Sequence, residues 1–270
     1  MMDSPWISLV VFVAFLGAIA LGMRIRRSVA EHHRNTETSD LVHAAVAMLV
    51  TFSAIVVGLL MNSSKADFSN VDGLMRSYTV TLVELNEALH NLGPAGEPIQ
   101  KSLAVYTAAE IAGTWVEQTP PPGDYYPRNI ALIDGGRLQD SQALADLLTS
   151  VGDQIGAIPV ATPKERQASA RCLALVTRAG EQRLNLIAES QVSLSWSFFT
   201  VLVFWLFTAF LCLGLAAPIN RLTIIVTTLG AAMLSSALFV IVDLSTLFDN
   251  GFFSISSLPL RAALAHMPHP

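Results

Sequence analysis

Four stretches of this chain carry no formally charged side chain, and that absence limits the fold more than any motif does. They are Pro5–Met23, Leu41–Met61, Trp196–Ala217 and Leu222–Val242. A helix needs about 20 residues, at about 1.5 Å each, to cross about 30 Å of hydrocarbon. Inside hydrocarbon every backbone N–H and C=O must be satisfied within its own segment and an unpaired ion is expensive, so uncharged runs of this length read as transmembrane helices. Side chains suited to the lipid–water boundary stand at their ends: Trp6, then Arg24, Arg26 and Arg27, then Lys65, Trp196 and Arg221. The first and fourth runs hold small residues that let helices approach closely. These are Ala14, Gly17, Ala18 and Ala20 in one, and Gly230, Ala231, Ala232, Ser235 and Ser236 in the other.

The charges are gathered between the second and third runs. Only 14% of the 270 residues are charged, and residues 63–193 hold 10 of the 16 basic and 15 of the 21 acidic side chains, hence the whole net charge of −5. With 52% hydrophobic residues and no basic footprint, the composition excludes a soluble enzyme, a disordered chain and a nucleic-acid binder. No nucleophile elbow, phosphate loop or paired-cysteine motif is present, so neither enzyme activity nor a cofactor is expected. Cys172 lies in the charged segment and Cys212 in an apolar run, which makes both expected free thiols. No Lys or Arg precedes the first apolar run, so that run is expected to be retained and not removed as a signal peptide.

Residues 63–193 read as helical. Phe68, Val71, Met75, Tyr78, Leu82, Leu85 and Leu89 follow one another in steps of three and four, the stripe of an amphipathic helix or a coiled-coil seam, and Gly93-Pro94 supplies a stop. A second helix is expected over Pro98–Gln118, ended by Pro120-Pro121-Pro122. A third follows from Leu144, Leu147, Leu148, Val151 and Ile155. A fourth starts at a capping box, with Thr162 as N-cap, Pro163 first in the helix and Glu165 three residues after the cap. Only Asn62-Ser63-Ser64 separates the second span from the Phe68 stripe, and no proline falls between Pro163 and Trp196. The simplest expectation is that the second and third spans leave the membrane as long helices; separate short helices forming a lid are the alternative. The fold class is therefore an all-α integral membrane protein: a first transmembrane hairpin (1–62), a helical extramembrane domain (63–193), a second transmembrane hairpin (194–248) and a C-terminal tail (249–270).

Several stretches resemble a bacterial membrane-protein family of unknown function described as bestrophin-like. They are Arg26-Arg27-Ser28-Val29-Ala30-Glu31-His32-His33, Gly58–Leu60, Ser64-Lys65-Ala66-Asp67-Phe68, and Leu89 through Gly93-Pro94. Further along they are Leu194–Trp205, Leu213-Gly214-Leu215-Ala216-Ala217-Pro218, and the tail Ser256–Leu264 with Pro259, Leu260 and Arg261. The departure lies at Asp243–Gly251: the family pattern runs Asp/Glu-Leu-Asp-x-Pro-Phe-x-Gly, and here Ser245 replaces the second acid, Leu247 the proline, and one residue is added before the glycine. The resemblance implies similarity to bestrophins, pentameric anion channels with four spans per subunit, whose second spans line the pore. It thus implies a multi-pass protein of the bacterial inner membrane, a homo-oligomer, lipid as its surroundings and small inorganic ions as its cargo. Bestrophins keep their large domain in the cytosol. The Lys and Arg counts are equal, five Arg in the short loops Arg24–Asp40 and Pro218–Arg221 against Lys65, Arg76, Arg178, Arg183 and Arg261 on the other side, and the greater weight of short loops leans toward an N-terminus outside and a periplasmic domain.

Projected at about 100° per residue, the second span gathers Asp40, Ala44, Met48, Thr51, Ile55, Gly58, Asn62 and Lys65 on its least apolar face. Met48, Thr51, Ile55, Gly58, Asn62 and Lys65 are the candidate pore lining, with Met48 and Ile55 as apolar constrictions and Lys65 as an attractor of anions. The alternative reading leaves Thr51 and Gly58 as helix-packing residues and Asp40 and Lys65 as boundary markers. Asp243, at the end of the fourth span, is a candidate vestibule residue. Glu31, His32, His33, Glu37 and Asp40 match no standard metal spacing, so no metal is expected. An oligomeric ion channel, anion-conducting by analogy, is the leading functional expectation. A membrane-anchored scaffold or sensor without a pore is the alternative.

Overall fold

The structure, a computed structural model, describes residues 4–28, 36–127, 142–190, 196–216, 220–248 and 251–268. Among these residues it is all-helical: α1 (Ser4–Ser28), α2 (Thr36–His90), α3 (Glu97–Thr114), α4 (Gln142–Gly156), α5 (Pro163–Ser190), α6 (Trp196–Ala216), α7 (Arg221–Ser245) and α8 (Leu258–Ala265). α1, α2, α6 and α7 are each long and apolar enough to cross a bilayer, and they contain the four runs expected from the sequence except for Ala217, which lies outside the described residues. The chain divides into two compact units, the first made of Met1–Ala66 with Ser193–Thr246 and the second of Asp67–Val192 with Leu247–Pro270.

In the first unit α1 packs against α6 and α7. Its core gathers Val11, Phe15, Ala18 and Ile19 with Phe199, Leu202, Leu206 and Phe210 of α6 and Ala231, Leu238, Ile241 and Val242 of α7. Phe15 and Phe210 stack with ring centroids 4.9 Å apart. In an apolar environment dispersion and backbone proximity replace the hydrophobic effect as the source of helix association. Gly22 and Gly214 supply that proximity. A Cβ on Gly22 would lie 2.3 Å from the Leu211 carbonyl oxygen, and one on Gly214 would lie 2.4 Å from the Ile19 carbonyl oxygen. Ala18, Ala231 and Ser235 of the expected small-residue sets are buried, whereas Gly17 and Gly230 face open space. Ser235 Oγ donates to the Ser8 carbonyl at 2.7 Å, and Arg26 Nη1 donates to the Ala216 carbonyl at 3.2 Å, placing a cation at the C-terminal end of α6. Asn220 caps α7 by accepting from Thr223 N at 2.7 Å.

The second unit is built on the stripe expected from Phe68 onward. Val71, Met75, Tyr78, Leu82, Leu85 and Leu89 are buried in a core shared with α3, α4, α5 and the C-terminal segment, so the stripe is a packing face within one chain. α2 runs unbroken from Thr36 to His90, as the absence of a breaker at Asn62-Ser63-Ser64 leads one to expect. It stops where expected: Gly93 takes φ +67°, and a Cβ on Gly96 would fall 2.0 Å from the Leu89 carbonyl oxygen, so the turn into α3 needs glycine at both positions. The capping box of α5 forms as read. Thr162 Oγ1 accepts from Glu165 N at 3.2 Å, and Glu165 Oε2 accepts from Thr162 N at 3.0 Å and Ala161 N at 2.9 Å. Those bonds hold the exposed Glu165 carboxyl below the usual range. The junction of α5 with α6 lies outside the described residues, as do His32, His33 and the Asp249-Asn250 pair.

Two features differ from expectation. α3 ends at Thr114, before the prolines, because Trp115 turns out of the helix: its buried indole Nε1 donates to the Ile255 carbonyl at 2.8 Å and its ring meets Phe248 edge-on. The residues that hydropathy leaves as a tail pack into the second unit through Ile255, Leu260, Leu264 and Met267, joined by Leu247 from the end of the expected second hairpin. Arg261 fastens them, donating from Nη2 to the Thr119 carbonyl at 2.7 Å and from Nε to Ser257 Oγ at 3.0 Å. Cys172 and Cys212 are free thiols in different units. Burial raises the Cys172 thiol, which makes it a packing residue.

The glycine contact gives a direct test. Gly214→Ala forces a methyl into a backbone carbonyl and is expected to destabilise the protein by about 1–3 kcal/mol. Gly17→Ala, which meets nothing, is expected to leave the unfolding midpoint unchanged or slightly raised. Thermal unfolding of both variants in one detergent measures the difference.

Candidate pore face and a buried polar cluster

Along its membrane segment α2 turns one side toward its own unit. Val46, Ser53 and Ser64 are buried there, with Val56, Val57, Leu60 and Met61 packed on the core. These positions recur with helical period and define a single packing face. The candidate set Asp40, Ala44, Met48, Thr51, Ile55, Gly58, Asn62 and Lys65 lies on the opposite side, where all eight are exposed. Met48 is 63% and Ile55 55% exposed, so two large apolar groups on this side have no partner surface within the chain's own core. Thr51 donates its hydroxyl to the Ala47 carbonyl at 2.8 Å, which satisfies the one polar proton in the middle of the face inside the helix. Asp243 is fully buried at the end of α7, so in the single chain its carboxylate faces protein and not water.

A second constellation sits in the core of the second unit, and the sequence reading did not pick it out. Tyr106 and Glu110, one turn apart on α3, meet Tyr78 of α2 and Arg183 of α5. The hydroxyls of Tyr78 and Tyr106 hydrogen-bond each other. Arg183 Nε stands 3.6 Å from Glu110 Oε2, a buried ion pair. Glu110 is 2% and Arg183 5% exposed, and they are the buried charged residues among those described in this unit. Burial pushes Glu110 above the usual carboxylate range, against the opposing pull of Arg183 and of the Tyr106 hydroxyl. Burial likewise lifts both tyrosines well above 10, with added repulsion from Glu110. Two signals were available in the sequence. Glu110 stands alone inside Thr107–Gly113, an otherwise uncharged stretch of α3, and Tyr78 is the one polar-tipped member of the Phe68 stripe.

No group of three or more potential metal-ligating side chains is found among the described residues. A sequence profile of the bestrophin-like domain matches residues 13–260. This chain belongs to the bestrophin-like family. Its fold is similar to crystal structures of point variants of a bacterial bestrophin homologue from Klebsiella pneumoniae. One has TM-score 0.66 at 16% identity over 94% of this chain and 95% of that one. Two others have TM-scores of 0.65 and 0.61, each at 16% identity over 98% of this chain, and cover 95% and 96% of theirs. No curated protein gives a significant sequence match. The family and the four apolar helices make this bestrophin-like chain an integral membrane protein.

In this bestrophin-like protein the Glu110–Arg183 pair is expected to behave as a coupled unit. Removing one partner leaves the other charge buried and costs about 3–5 kcal/mol, whereas replacing both with apolar groups of similar size is near neutral. Glu110→Leu, which leaves the Arg183 side chain buried without its partner, should therefore lower stability sharply, and Glu110→Leu combined with Arg183→Met should recover much of the loss. Chemical unfolding of the two single variants and the double variant measures the coupling.

Proposed function

We propose that this chain assembles as a homo-oligomer around α2 and conducts small inorganic anions, with Met48, Thr51, Ile55, Gly58, Asn62 and Lys65 lining the pathway. The observation that carries the proposal is the exposed side of α2: in a helix of membrane-spanning length, the face away from its own core is the one that holds a glycine, an asparagine and a lysine. Lipid gives such groups no hydrogen bonds, whereas a water-filled axis does. Membership of the bestrophin-like family and the likeness of fold to a bacterial bestrophin homologue support a channel over a scaffold.

The roles follow from the chemistry at each level. Ile55 and Met48 present apolar side chains that exclude water when the pathway narrows, so they act as gates. Gly58 leaves room for an ion, and Asn62 donates hydrogen bonds to an anion that sheds part of its hydration shell. Lys65 raises the local concentration of anions at one end of the span, as Asp40 marks the other. Residues 63–193 form the bulk of the domain outside the membrane in this reading.

Reconstitution in planar bilayers tests it. The wild-type protein is expected to conduct with anion preference, Lys65→Glu to reduce or reverse that preference, and Ile55→Ala to raise the conductance. Absence of any ion flux from correctly assembled protein would leave the scaffold reading in its place.

A further inference from the structure

The cluster of Tyr78, Tyr106, Glu110 and Arg183 contains one proton that can exchange in the ordinary pH range. An arginine guanidinium is charged throughout that range, and both tyrosines are held protonated by their burial. Glu110 remains, on α3, met by Arg183 from α5 and by the linked hydroxyls of Tyr106 and Tyr78 from α3 and α2. The other helices packed around α3 turn apolar faces to the core: Leu144, Leu148, Val151 and Ile155 from α4, and Leu260, Ala263 and Leu264 from α8. Their charged residues Asp146 and Asp153 are exposed, and Arg261 is occupied at the surface with Ser257 and Thr119.

The surroundings fall short of what a buried carboxylate needs. Glu110 Oε2 makes no hydrogen bond, and Gln182 Oε1 and Thr114 Oγ1 are likewise buried without one. α5 meets α2 in this region through polar side chains, with Gln182 Nε2 donating to Ser77 Oγ at 2.9 Å and Asn70 Nδ2 to Glu189 Oε2 at 3.1 Å. An ionised Glu110 gains Arg183 and the Tyr106 hydroxyl and loses its water. A protonated Glu110 gives up that attraction and carries little desolvation penalty.

We propose that this cluster is a proton-binding site: Glu110 takes up and releases a proton inside the folded second unit, and its release loosens the seat of α5 against α2 and α3. The direction follows from linkage. A carboxyl raised by burial binds its proton more tightly in the packed state than in an opened, hydrated one. Its contribution to packing is complete below the ordinary Glu range and is lost as pH rises through the raised value. Alkalinisation therefore opens the α5 seam, with a slope of at most about tenfold in the opening equilibrium per pH unit for one proton. The inference concerns the packing of this unit and stands apart from conduction.

Hydrogen exchange and infrared spectroscopy of the full-length protein in lipid nanodiscs test it together. After correction for intrinsic exchange chemistry, amides of α5 around Arg183 are expected to lose protection with rising pH in the wild type. In Glu110→Gln, which keeps the shape and cannot ionise, protection is expected to stay flat. A protonated-carboxyl stretching band is expected to persist above the pH at which exposed carboxyls ionise, and to be missing in Glu110→Gln. Tyr106→Phe removes a hydroxyl that favours the ionised form, so it is expected to move the midpoint to higher pH, and it serves also if Glu110→Gln fails to fold. Identical pH profiles in wild type and Glu110→Gln, absence of the Glu110 band, or an unmoved midpoint in Tyr106→Phe would overturn the proposal.

Discussion

α2 is one helix that serves two cores, and the rest of the chain answers to that. Through the first unit its backbone must satisfy itself, because lipid offers no hydrogen bonds, and helix is the one conformation that does so without a partner strand. The same helix then supplies the central face of the second unit, where Val71, Met75, Tyr78, Leu82, Leu85 and Leu89 are removed from water. Nothing at Asn62-Ser63-Ser64 interrupts the hydrogen-bond ladder, so no loop intervenes. The change from one core to the other is met by side chains alone. Small and apolar groups give way to a stripe whose spacing is that of a soluble amphipathic helix.

The two units are held together internally by different forces, and the residues record it. In the first, Gly22 and Gly214 bring α1 and α6 into backbone contact, Ser235 adds a hydrogen bond to the Ser8 carbonyl of α1, and Arg26 adds one to the Ala216 carbonyl that α6 leaves open at its end. Each is a short-range term that works where burial of apolar surface gains nothing over lipid. In the second, large side chains dominate. Trp115, Tyr78, Tyr106, Leu103 and Ile111 are fully enclosed, and the C-terminal segment closes over them with α8 and the Arg261 fastening.

What the sequence discloses follows this division. Long uncharged runs, the Phe68 stripe, the Gly93-Pro94 stop and the Thr162–Glu165 box are local patterns. Each corresponds to an element because each is decided within one or two helical turns. The exposed side of α2 was legible for the same reason, since a period of 3.6 assigns faces without knowledge of neighbours. The Gly22–Gly214 contact was not, because several small residues stand in each apolar run and only the crossing of two helices selects among them. Gly17 and Gly230 fit the rule equally well and touch nothing. The early end of α3 and the docking of Leu247, Phe248 and residues 251–268 involve Trp115 meeting Ile255, a pairing no local pattern announces. Glu110 was hidden by the same limit: its environment is written on α2 and α5, far along the chain.

The acidic character of residues 63–193 bears on the anion reading through distance and direction, not through its total. Charges separated by more than a Debye length, about 8 Å at physiological ionic strength, are largely screened from one another in water. The field at the end of the span is therefore set by its immediate neighbours. Asp67 is two residues from Lys65, but that step turns roughly 160° the short way around a helix, so the carboxylate stands on the opposite side. Asp67 is half-buried and Lys65 exposed, in keeping with that separation. Next along the helix, Asp72 is engaged with Arg76 at 2.8 Å, which cancels both at close range. The exposed face of α2 thus presents Lys65 without a neighbouring carboxylate from its own helix, and the acidic total of residues 63–193 does not by itself set the potential there.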